Sequence, residues 1–136
     1  MSDQNVQVIQ EAYAAFGRGD IAAILANLTD DVEWFLPGEG LIPQSGLYRG
    51  PDGVGSFFSK LAATTEFEAF EPREFIAQDD RVVACGYYRA RSKATGRKFE
   101  ADWAMVFTFR NGKIAKYREY GDTAVIAAAY QVAAIA

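Results

Sequence analysis

Glu119 lies in a stretch that reads as strand, turn, strand and helix: residues 99–129, FEADWAMVFTFR-NG-KIAKYREYG-DTAVIAAA. One face of the first strand is apolar, with Trp103, Met105 and Phe107. The returning strand sets a single carboxylate, Glu119, close to where that face ends. An acid beside an apolar wall must be solvated, paired or protonated. Kept dry, its proton affinity rises toward neutrality, which suits acid/base catalysis. The structural alternative is a carboxylate at a wet pocket mouth, or one bonded to Tyr88 and a loop backbone. Tyr88 and Tyr117 either orient a substrate oxygen or present an apolar ring with a satisfied hydroxyl. Trp34, Trp103 and Met105 are either pocket walls or core. Tyr13 reads as core or pocket floor.

The chain has no histidine, which removes His-based dyads and triads and most zinc sites. Acid–base work falls to Asp, Glu, Tyr, Lys or the single cysteine. That residue, Cys85, allows no internal disulfide, and no basic neighbour in sequence activates it. Asp122 precedes Thr-Ala-Val and an alanine-rich run, so it reads as a helix N-cap rather than a second catalytic acid. Asp30-Asp31 and Asp79-Asp80 read as solvated turn residues. No metal or cofactor is implied.

Aromatic residues make up 14% of the 136 residues, enough to line a pocket as well as fill a core. The length points to one domain, residues 1–136. With a net charge of −4 and no basic stripe, nucleic acid is not an expected partner. No signal-peptide pattern or membrane-length apolar run stands out, so the expected location is cytoplasmic, away from membranes.

The positioning elements follow from periodicity. Val6, Ile9, Ala12, Tyr13 and Phe16 fall at helical spacing, and Gly17 and Gly19 stop that helix. Asp20 can cap a second helix with Ile21, Ile24, Leu25 and Leu28 on its buried stripe. Residues 32–36 form a strand, ended by Pro37-Gly38. Residues 37–50 read as a long glycine-rich loop of the kind that covers pockets. Pro51 suits the first turn of a third helix carrying Val54, Phe57, Phe58 and Leu61. Strands follow over 67–77, 81–91, 99–109 and 113–120, then a helix over 123–132.

Alternation assigns Val82, Ala84, Gly86, Tyr88 and Ala90 to the interior, with Ala101, Trp103, Met105 and Phe107 beside them. For the last hairpin, a strict two-residue Asn111-Gly112 turn would bring Lys116 and Arg118 inside. A three-residue loop with Gly112 in a left-handed bulge slips the register by one. It puts Tyr117 and Glu119 inside and lets Lys116 and Arg118 meet Asp102 and Glu100 outside. The second register is expected.

The order of elements and the segments AYAAFGRGD, LTDDVEWFLPG, YRGPDGVGSFF and FRNGKIAKYREYGDTA resemble the SnoaL-like, ketosteroid-isomerase-related branch of the nuclear transport factor 2-like superfamily. The resemblance covers nearly the whole chain. It implies an α+β cone: three N-terminal helices packed on a curved, mostly antiparallel sheet, with a short C-terminal helix. It also implies a mostly apolar pocket and a homodimer. The family's catalytic residues carry over unevenly. Where ketosteroid isomerases place a base, an oxyanion-hole acid and an oxyanion-hole tyrosine, this chain has Trp34, Met105 and Ala12. The Asp–Arg–Asp set of limonene-type epoxide hydrolases falls on Tyr88, Gly86 and Glu119. Scytalone-dehydratase-like chemistry leans on histidine. SnoaL-type cyclases use an aspartate, for which Glu119 is a functional stand-in.

Three readings follow. The first is an enzyme performing cyclisation, isomerisation or hydration on a hydrophobic, oxygen-bearing metabolite, with Glu119 as acid/base and Tyr88 or Tyr117 as its partner. The second is a non-catalytic module that binds a hydrophobic ligand. The third is a structural dimer with a filled interior.

Overall fold

The computed structural model describes residues 2–131. Helix α1 (Ser2–Gly17) buries Ile9 and Ala15 and ends in a Schellman motif, with Asp20 N donating to Ala15 O at 2.8 Å and Gly19 N to Phe16 O at 3.1 Å. Gly19 takes the left-handed φ of +76° that this ending requires. Asp20 then caps α2 (Ile21–Leu25) by accepting from Ala23 N at 3.2 Å. The expected stripe on this helix included Leu28, but Leu28 opens strand β1 (Leu28–Leu36), where it pairs with Ile114. The 3.6-residue spacing fitted Leu28 to the helix. Sheet pairing, with Ile114 N donating to Asn27 O at 2.8 Å, overrides it.

The expected loop over 37–50 is shortened by strand β2 (Gly46–Arg49), which pairs antiparallel with β1. Helix α3 (Gly50–Thr64) starts with Pro51 in its first turn and buries Val54 and Phe57. The remaining strands are β3 (Thr65–Gln78), β4 (Arg81–Ser92), β5 (Lys98–Arg110) and β6 (Lys113–Gly121). Helix α4 (Thr123–Tyr130) closes the order, and Asp122 caps it by accepting from Val125 N at 3.1 Å. Val132, expected in this helix, lies outside the described residues.

The six strands form one mixed, unclosed sheet in the order β2-β1-β6-β5-β4-β3. Among the described residues only β1 and β6 pair in parallel. The fold is α+β, with the helices packed on a curved sheet. The inward residues expected on β4 and β5 are all buried, and a neighbour fills the space that a side chain at Gly86 would take. β3 lies at the edge, where Pro72 is tolerated and the register shifts between Pro72 and Glu74. Among the described residues no helix is long and apolar enough to cross a membrane.

The last hairpin reaches the expected faces by a different route. Asn111 and Gly112 have φ of 53° and 78°, a two-residue turn with Arg110 opposite Lys113. The slip comes two residues later: Phe109 faces Ile114 and Thr108 faces Lys116, leaving Ala115 as an extra residue. Ile114 and Ala115 are consequently both buried. Lys116 and Arg118 do point outward, but opposite Thr108 and Val106 rather than Asp102 and Glu100. Arg118 lies over the rings of Phe35 at 4.4 Å and Tyr120 at 5.4 Å.

Candidate functional site

The bulge at Ala115 puts Tyr117 and Glu119 on the inner face of β6, with Glu119 directly across from Met105 and Tyr117 across from Phe107. Glu119 is 9% exposed. Its Oε1 accepts from the Tyr117 hydroxyl at 3.3 Å, and its Oε2 from the Tyr88 hydroxyl at 3.4 Å. Burial raises its pKa from the ordinary 4.5 to about 7, and the two tyrosine bonds pull the other way. Desolvation therefore wins over the hydrogen bonds, and the group changes charge near neutrality. The Tyr88 and Tyr117 hydroxyls are held neutral, first by burial and then by the Glu119 charge.

An apolar cavity of about 90 Å³ lies between the inner sheet face and the helices. Glu119, Tyr88, Tyr117, Tyr13, Trp34 and Met105 all line it. Trp34 stacks on Tyr117, with centroids 3.9 Å apart and planes 17° from parallel, as direct neighbours across the β1–β6 pair. The Tyr13 hydroxyl donates to the Met105 sulfur at 3.0 Å. Burial, then the charge on Glu119, raises the Tyr13 pKa.

Trp103 is the expected wall residue that does not line the cavity. It faces Gly86 across the β4–β5 pair. A Cβ at Gly86 would lie 2.5 Å from Trp103 Cζ2, so the indole occupies the space a side chain there would need. Phe70, at a centroid distance of 5.3 Å, and Tyr13, at 5.8 Å, pack against that indole. Among the described residues the indole N–H groups of Trp103 and Trp34 are both buried without a hydrogen-bond partner.

The sequence reading missed a second set of polar residues in the cavity lining: Gln44, Thr65 and Tyr130. They come from the 37–45 loop, the start of β3 and the end of α4. Their separations of 21 and 86 residues leave no local pattern to read. Among the described residues no three His, Cys, Asp or Glu side chains gather into a metal-binding group.

A SnoaL-like domain model matches residues 9–117, and the chain belongs to that family. An NTF2-like protein from Burkholderia xenovorans LB400 has a solved structure 38% identical in sequence, with TM-score 0.88 over 96% of this chain and 98% of that one. The structure of TerC co-crystallised with polyporic acid is 29% identical, with TM-score 0.84 over 95% of this chain and 99% of TerC. An uncharacterised protein of Mycobacterium tuberculosis is 28% identical over 118 residues, 87% of this chain and 88% of that protein.

Proposed function

We propose that this chain takes a hydrophobic, oxygen-bearing small molecule into the cavity and moves a proton on it through Glu119. The observation that carries the reading is one buried carboxyl, poised at about 7, opening onto a mostly apolar cavity. As carboxylate it can accept a proton from a carbon or oxygen activated by a neighbouring carbonyl. As carboxylic acid it can return that proton elsewhere on the same molecule. One residue can thus serve an isomerisation or a cyclisation, and a hydration if water enters. Tyr88 and Tyr117 hold the two carboxyl oxygens. Tyr13 spends its O–H on a thioether, a weak acceptor. That proton is available to a stronger acceptor, such as the oxygen of a bound carbonyl or enolate.

The likeness to a protein crystallised with polyporic acid supports an organic ligand. A carrier that binds without turnover is the second reading, favoured by Trp34 and Met105 standing where the ketosteroid-isomerase resemblance places catalytic groups. We also propose that two copies pair through the outer sheet face, where Tyr120, under Arg118, and Leu47, across from Phe35, are 51% and 47% exposed. Sedimentation as a monomer would contradict that pairing.

The test begins with denaturing extraction of the purified protein and mass spectrometry of any small molecule released. With that molecule or its precursors as substrate, Glu119→Gln should bind within a few-fold of wild type and lose roughly 10²- to 10⁴-fold in turnover. Turnover that persists removes Glu119 from the mechanism. Binding without turnover in the wild type favours the carrier.

A further inference from the structure

We propose that Gln44, Thr65 and Tyr130 form a second polar subsite. It recognises a hydroxyl or carbonyl oxygen on the end of the ligand remote from Glu119. The ligand class is therefore an apolar body with oxygen at both ends. This rests on the reading that the cavity takes a small molecule, and it adds what that molecule must look like.

Gln44 and Thr65 are 4% and 5% exposed, in a lining that is otherwise mostly apolar. A buried carboxamide is costly unless its hydrogen-bonding groups are used. The Gln44 backbone is fixed because Tyr48 donates its hydroxyl to the Gln44 carbonyl at 2.8 Å. The side-chain Oε1 accepts from Thr64 Oγ1 at 2.9 Å, which turns the NH₂ toward the cavity residues. Nε2 donates to the Tyr130 hydroxyl at 3.0 Å. Its other hydrogen has only Thr65 Oγ1, at 3.5 Å, the limit of a hydrogen bond. Thr65 Oγ1 and the Tyr130 hydroxyl are themselves hydrogen-bonded. Thr65 Oγ1 also lies 3.1 Å from Thr64 Oγ1, which takes its proton because the Thr64 hydroxyl donates to Gln44. The group thus retains one weakly used N–H donor on Gln44 and one free lone pair on the Tyr130 hydroxyl. A ligand hydroxyl can use both kinds, and a carbonyl can use the donor.

The subsite is distinct from the Glu119 end. The ring of Phe99 neighbours both, 6.1 Å from Tyr88 and 5.6 Å from Tyr130, centroid to centroid. A rigid apolar molecule lying along that aromatic wall would present one oxygen to Glu119 and the other to Gln44. If these residues only latch α4 to the loop, as the Gln131 Nε2 bond to Leu41 O at 2.9 Å also does, their loss costs stability and leaves ligand preference untouched.

The experiment compares mono- and dihydroxylated probes of two lengths on the full chain by calorimetry: 2-naphthol with 2,6-dihydroxynaphthalene, and 4-phenylphenol with 4,4′-dihydroxybiphenyl. In at least one pair the dihydroxy probe should bind about tenfold more tightly, one well-made hydrogen bond at about 1.4 kcal/mol. Gln44→Leu should bring that ratio close to one. Tyr130→Phe, a smaller change that keeps the ring, should reduce it. Equal affinities within both pairs, or a ratio that survives both substitutions, overturns the subsite and leaves the cavity reading standing. If none of the four probes binds, the subsite and the cavity reading fall together.

Discussion

Replacing Glu119 by glutamine should stabilise the protein in mild base relative to acid. In the folded chain this carboxyl has its pKa raised from 4.5 to about 7, chiefly by burial. A folded-state value above the unfolded one means that the folded chain holds the extra proton between those two values. Stability therefore falls as pH rises through that window. Below it both states are protonated and nothing is lost. Above it the folded state carries the whole cost of a buried carboxylate, roughly 3 kcal/mol for a shift of this size. Glutamine titrates in neither state. Urea unfolding of wild type and Glu119→Gln at about pH 5 and about pH 8 isolates the effect, because other titrating groups cancel in the difference. Any change in the tyrosine bonds is a constant offset at both pH values. The stability of the variant minus that of the wild type should rise by about 2–3 kcal/mol between the two conditions. A flat difference would mean that Glu119 titrates like an exposed glutamate, and the argument from its desolvation would fail.

Tyr117→Phe removes a bond that favours the carboxylate, so the Glu119 pKa should move further above 7, read by carbon-13 NMR of the side-chain carboxyl. A downward move would mean that the hydroxyl serves the neutral acid instead. Gly86→Ala should destabilise by about 1–3 kcal/mol or more, because the new Cβ would meet Trp103 and lie 2.4 Å from Glu71 O. Thermal or urea denaturation checks this, and unchanged stability would show that the indole has room to shift.

The strand faces were legible because each strand alternates cleanly and one side of the sheet is dry. Glu119 could be placed inside from two facts: the register must slip by one, and the alternative would bury Lys116 and Arg118. What caused the slip was not legible as such, since Asn111-Gly112 is equally at home in a two-residue turn. Two adjacent apolar residues, Ile114 and Ala115, were the sign of the bulge. The inner face of Trp103 was legible, but not the choice between wall and core, which the structure resolves as core. Its true seat depends on Gly86 lying opposite, which shows only when the β4 and β5 faces are laid side by side. Leu28 and the short strand Gly46–Arg49 take their conformation from partners distant in sequence, as propensity does not decide so short a segment. The Gln44, Thr65 and Tyr130 cluster is created wholly by the tertiary fold.

The central claim, that Glu119 moves a proton on a molecule held in the cavity, can be tested before any natural substrate is known. 2-Tetralone is an apolar bicyclic ketone whose hydrogens beside the carbonyl exchange slowly with deuterium oxide. Proton NMR of that exchange at about pH 7, with binding followed by tryptophan quenching, reads proton transfer directly. Wild type should accelerate the exchange over buffer, and Glu119→Gln should bind the ketone and lose that acceleration. A ketone that binds both proteins and exchanges at the buffer rate in each would contradict the claim.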